Sequence, residues 1–137
     1  MLLYYISSMN QSSFRLTWIC YKTVEKAITQ SFCLYVFYHP QDKDRPFYIG
    51  KAKYFGTKQK EGYKQSARYN GGYLHLIAGM LCSGFKLYIA EIGEDLFAHA
   101  EDYEQFLIEQ WNPVQNKLRK KRNFVKFTTE KPWMFES

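Results

Sequence analysis

Phe32-Cys33-Leu34-Tyr35-Val36-Phe37-Tyr38, followed after a polar segment by Phe47-Tyr48-Ile49-Gly50-Lys51, is the stretch from which the rest of the chain can be read. Both runs are dense in aromatic and β-branched residues, the types that fit a pleated, half-buried surface. The segment between them, His39-Pro40-Gln41-Asp42-Lys43-Asp44-Arg45-Pro46, is polar and marked by proline, so the two runs read as strands of a β-hairpin with a long loop. Successive strand residues point to opposite faces. Cys33, Tyr35 and Phe37 therefore share one face, Tyr48 and Gly50 share one face of the returning strand, and a matching register puts Tyr35 and Tyr48 on the same side.

Downstream, Lys51 to Gly56 leaves the strand for a basic region in which Lys58, Lys60, Lys64 and Arg68 outnumber Glu61 and alternate with Tyr54, Tyr63 and Tyr69. Basic residues spaced by aromatics suit a phosphate backbone; a solvated loop reads equally well. Gly71-Gly72 opens a helix near 72–83 with Tyr73, Ile77, Met80 and Leu81 on one stripe, and Ser83-Gly84 stops it. The alternating stretch 85–92 is a third strand, Gly93-Glu94-Asp95 turns the chain, and a second helix runs from about Phe97 to Trp111. Its apolar stripe is Ala100, Tyr103, Leu107, Ile108 and Trp111, and helical geometry sets Glu104 on that stripe. An inward carboxylate is costly unless paired, hydrogen-bonded or bound to a cation. Glu104 is thus a rim residue, a partner for a core arginine such as Arg68, or a metal ligand. Asn112-Pro113 ends the helix, Asn116 follows as a turn residue or a functional one, and Lys117, Arg119, Lys120, Lys121 and Arg122 form a solvated tail or a clamp on nucleic acid.

Upstream, Phe14, Trp18, Tyr21 and Ile28, with Val24 between, recur at spacings of three and four, which predicts an amphipathic helix from Phe14 to Thr29. At 137 residues and 46% hydrophobic, the chain holds one globular domain with a single core. The expected division is an accessory segment 1–31, a core 32–118 and a basic tail 119–137, from which Trp133 and Phe135 can fold back. The net charge of +6 favours a polyanionic partner. Cys20, Cys33 and Cys82 are odd in number and lack Cys-x-x-Cys spacing, which argues against zinc and for free thiols in a reducing compartment. No run reaches the roughly 20 apolar residues of a membrane span, and the apolar start lacks a basic leader region, so a cytosolic location is expected.

The pair of strands resembles the opening of the GIY-YIG nuclease superfamily: Tyr48-Ile49-Gly50 matches the second motif, and Cys33-Leu34-Tyr35 stands where the first has glycine, isoleucine and tyrosine. A helix bearing a glutamate and then an asparagine follow in the family's order, so the resemblance covers roughly Phe32 to Leu118. It implies an α+β fold, a small three-stranded antiparallel sheet flanked by helices, with Tyr35 and Tyr48 on one face near Glu104. It also implies a DNA endonuclease dependent on one Mg²⁺ or Mn²⁺. Glu104 would be the metal ligand and Tyr35 the general base, with Tyr48 positioning water or phosphate. The family's short-connection members have an arginine about ten residues after the second tyrosine, where this chain has Lys58; Arg68, with Lys58 as second choice, would neutralise the phosphorane, and His75 would be a second base or phosphate ligand. A tyrosine with a pKa near 10 needs about 4 kcal/mol to be ionised at pH 7, which neighbouring cations such as Lys51 would help supply. Gly50, Lys51, Lys53, Lys58, Lys64, Asn116, Lys117, Arg119, Lys120, Lys121 and Arg122 form the expected nucleic-acid surface, and a homodimer would allow both strands to be cut. The absent first-motif glycine and displaced arginine keep open an inactive nucleic-acid-binding module of the same fold. A basic protein-interaction domain is a third reading.

Overall fold

The computed structural model of the chain describes residues 14–55, 76–118 and 127–135. Six strands occur there: β1 (Phe14–Arg15), β2 (Ile19–Tyr21), β3 (Ser31–Tyr38), β4 (Tyr48–Tyr54), β5 (Lys86–Glu91) and β6 (Phe127–Thr128). Helices are α1 (Val24–Ala27), α2 (76–82), α3 (Gly93–Phe97) and α4 (Ala100–Trp111), and a 3₁₀ turn spans Pro132–Met134. The fold is α+β, with a four-stranded antiparallel sheet in the order β2-β5-β3-β4 and a small parallel pair, β1-β6.

β3 is the centre of the sheet. It pairs with β4 (Tyr35↔Gly50, Phe37↔Tyr48) and with β5 (Tyr35↔Ile89, Phe37↔Leu87), and every residue from Cys33 to Tyr38 is buried. A strand covered on both faces must be apolar on both, which is why its sequence is a continuous hydrophobic run. One face carries Leu34, Val36, Ile49, Tyr88 and Ala90 against Tyr103, Leu107, Ile108 and Trp111 of α4, together with Leu16 and Trp133. The other carries Cys33, Tyr35, Phe37, Leu87 and Ile89 against Ala27, Phe55 and Ile77. Each large aliphatic side chain so buried contributes roughly 1.5–3 kcal/mol.

The sheet has one strand more than expected, and the helix expected from Phe14 to Thr29 does not form. That region is β1, β2 and the single turn α1, which is capped by Thr23 Oγ1 accepting from Lys26 N at 3.4 Å. Ile19, Cys20 and Tyr21 instead pair with Ile89, Tyr88 and Leu87. The apolar spacing is used instead by β1 and the segment after it, which bring Phe14 and Trp18 onto α4, where Phe14 meets Tyr103 edge-on at 5.3 Å and Trp18 lies 6.0 Å from Trp111. The helix expected over 97–111 divides at Ala98 and His99, and Gly93 opens α3 rather than a turn. The break lets Phe97 pack against Phe32, 5.6 Å away. α4 ends as its sequence dictates: Asn112 adopts the left-handed conformation (φ 50°), its N–H bonds Ile108 O at 2.9 Å, and Pro113 follows. Of the helix expected near 72–83, the described part, 76–82, is helical.

Side-chain bonds from both ends of the long hairpin loop help to fix it. His39 Nδ1 accepts from Gln41 N (3.2 Å), so its Nε2 is the nitrogen that donates to Ser83 O (3.1 Å); Arg45 Nη1 reaches Asn112 O at 3.4 Å. In the C-terminal segment Trp133 folds back, stacked on Tyr38 (5.1 Å, 11°) and edge-on to Trp111, whereas Phe135 is 70% exposed. Among the described residues no helix is long and apolar enough to cross a membrane.

Candidate active site

The register Tyr35↔Gly50 and Phe37↔Tyr48 puts both expected tyrosines on one sheet face, with ring centroids 6.0 Å apart. Tyr35 is buried, and its ring lies across the backbone of Gly50. A Cβ at position 50 would collide with Tyr35 Cζ and stand 2.5 Å from its Oη. No left-handed backbone angle is involved at Gly50; glycine is there because the neighbouring ring occupies the space a side chain would need. Phe55, fully buried and edge-on to Tyr35 at 4.8 Å, closes the ring from another side. Sequence reasoning did not single out Phe55; its signal was an apolar residue directly after the last strand position, Tyr54.

Alternation along β4 sends Lys51 and Lys53 to the face opposite Tyr48 and Gly50, with Lys51 paired to Leu34. Both lysines are exposed, and Lys53 Nζ lies 5.6 Å from the centre of the Tyr54 ring. The expectation that Lys51 assists ionisation of the tyrosines therefore does not hold: an odd step along a strand reverses the face.

Glu104 is buried, as its place on the apolar stripe required, and its Oε1 is sealed from solvent. Gln105 beside it is fully buried too, while Glu101 is exposed and Asp102 and Glu109 are intermediate. α4, however, packs on the face of Leu34, Val36 and Ile49 and lies chiefly over β4. Glu104 thus belongs to the layer across the sheet from the tyrosine rings, not beside them as expected, and β4 between them is the outer edge of the sheet. One carboxylate matches what magnesium takes from a protein when water and a substrate phosphate complete its shell. Among the described residues no three His, Cys, Asp or Glu side chains gather as a metal cluster.

That outer edge is held by Asn116. Its Oδ1 accepts from Ile49 N (2.8 Å) and its Nδ2 donates to Ile49 O (2.9 Å), so one amide satisfies both main-chain groups as a neighbouring strand would. Val114 N and Gln115 N bond Pro46 O (3.0 Å) and Phe47 O (2.9 Å) just before it. The segment after α4 thereby fixes the backbone on both sides of Tyr48. Asn116 was expected on the nucleic-acid surface; its amide is engaged in positioning the tyrosine strand.

Cys33, on the Tyr35 face, has its thiol pushed up to about 12, first by burial and then by Glu91, and it is an inert core residue. Lys117 is exposed. Arg68, His75, Lys58, Lys64, Arg119, Lys120, Lys121 and Arg122 lie outside the described residues. No family model, curated protein or solved structure matches the chain.

Proposed function

We propose that the chain is a metal-dependent DNA endonuclease of the GIY-YIG type. The observation that carries this reading is the tyrosine pair on one sheet face, with Tyr35 laid across Gly50 and Tyr48 beside it at 6.0 Å. The arrangement does more than steady the hairpin, as a ring over an edge-strand glycine does. It wedges a phenol against main chain and forbids any side chain at position 50, while holding two hydroxyl-bearing rings in fixed relation.

In this reading Tyr35, as its phenolate, takes the proton of the attacking water and Tyr48 orients water or phosphate. Asn116 keeps their strand from shifting, and Glu104 holds a divalent ion. The ion, when bound, supplies charge stabilisation at the leaving oxygen. In this reading one substrate phosphate must reach both faces of the sheet, the tyrosines on one and Glu104 on the other. The net charge of +6 suits a DNA backbone. A second reading, an inactive DNA-binding module, is favoured by one observation: α4 packs on the sheet face opposite the tyrosines.

Plasmid nicking in Mg²⁺ or Mn²⁺ separates the two. The enzyme reading expects nicking by the native chain and none by Glu104→Gln, which keeps the side-chain volume and remains folded and DNA-binding. Salt-sensitive binding without nicking by the native protein supports the module instead, and wild-type cleavage by Glu104→Gln removes the metal ligand assigned here.

A further inference from the structure

A cleft of about 460 Å³ opens on the face of the molecule away from the tyrosine pair, between the chain leaving β1 and the C-terminal 3₁₀ turn. This is within the size range of small-molecule sites, roughly 300–1,000 Å³. Leu16 and Tyr88, both buried, line it, Trp18 and Phe135 are further parts of its lining, and Arg15 and Glu130 supply opposite charges.

Phe135 is the unusual element. It is 70% exposed and makes no ring pair among the described residues, yet it is not a loose end. Its N–H bonds Pro132 O at 3.3 Å, and Trp133, two residues earlier, is locked between Tyr38 and Trp111. Trp18 is held as firmly, its indole N–H donating to Thr129 Oγ1 at 2.8 Å. An aromatic ring kept in water by an anchored turn, at a cleft that another fixed indole lines, is a surface prepared for a planar group. Arg15 and Glu130 pair at 3.2 Å with both side chains more than half exposed. Such a pair is weak, so either partner can be given up to a ligand. The guanidinium fork fits a phosphate, and the carboxylate accepts from sugar hydroxyls or an exocyclic amine.

We propose that this cleft binds a nucleotide, its base stacked on Phe135 and Trp18 and its phosphate on Arg15. The shared chemistry has two sources, a free mononucleotide or a base on a single strand. The assignment does not rest on the nuclease reading, because none of its residues belongs to that site.

The test follows the Trp18 indole N–H by NMR in the full chain while adenosine, AMP and a short oligodeoxyadenylate are added. AMP should shift the resonance saturably and adenosine should bind about tenfold more weakly. Phe135→Ala should weaken AMP about tenfold, the scale of stacking on one aromatic ring, and Arg15→Gln should abolish the advantage of AMP over adenosine. Both altered side chains are exposed, and an unchanged urea midpoint verifies the fold. Tighter binding of the oligonucleotide through the same residues identifies a strand as the source, and equal binding identifies the free nucleotide. No saturable shift with any of the three, or AMP binding unaffected by Phe135→Ala, overturns the proposal.

Discussion

Replacing Gly50 by alanine tests whether the tyrosine ring, and not the backbone conformation, dictates the glycine. The added methyl would stand 2.5 Å from Tyr35 Oη and 2.9 Å from its Cε2, closer than any real contact. Tyr35 cannot simply swing aside, because Phe55 meets its ring at 4.8 Å, and Phe37 and Tyr48 each lie 6.0 Å away. Relief must come from an off-rotamer ring or a displaced strand, and overpacking of this kind costs typically about 1–3 kcal/mol. For a urea slope of about 2 kcal/mol per M, a 2 kcal/mol loss lowers the unfolding midpoint by about 1 M. The informative background is Tyr35→Leu, which removes the colliding Cζ, Cε2 and Oη atoms. There the alanine should be neutral or stabilise by up to about 1 kcal/mol, since the substitution reduces the freedom of the unfolded chain without a left-handed angle to oppose it. The cycle should therefore show a coupling of about 2 kcal/mol. Equal destabilisation in both backgrounds would refute the steric account, as would an undisturbed midpoint for Gly50→Ala alone.

Asn116→Asp keeps an acceptor for Ile49 N but sets a carboxylate against Ile49 O, so a loss of about 1–3 kcal/mol is expected. Hydrogen exchange at the Ile49 amide is the direct check, because Asn116→Ala should speed it and a surface role for Asn116 would leave it unchanged. The raised Cys33 thiol implies that the unfolded chain releases this proton from about pH 9 while the native chain holds it to about pH 12. Stability must then fall as pH rises through that window, with a slope from this group approaching about 1.4 kcal/mol per pH unit; Cys33→Ala should flatten the curve, and an identical slope counts against the assignment. Gly79 sits within α2 with open space where a Cβ would be and no left-handed angle. Gly79→Ala should raise stability by about 0.5–1 kcal/mol in thermal or urea unfolding, a gain that helix propensity alone supplies.

Local pattern was enough to locate β3, β4, β5 and α4 within a few residues, to place Tyr35 and Tyr48 on one face, and to bury Glu104. Each of those inferences depends on a period of 2.0 or 3.6 within a single element, and such a period is written in adjacent residues. The end of α4 was legible for the same reason, since Asn112-Pro113 is local chemistry. Tertiary structure alone decided the fourth strand, because Ile19–Tyr21 is too short to show a period and gains its identity from β5. It also decided the meeting of Trp18 with Thr129 across 111 residues, a closure that depends on chain entropy and a shared aromatic core rather than on any local preference. The same holds for the site. Which face α4 covers, that Lys51 leaves the tyrosine face, and that Asn116 serves as a surrogate strand for Ile49 are properties of how layers stack and edges close. Residues 67 apart make that last contact, so it exists only once the sheet and helix are assembled.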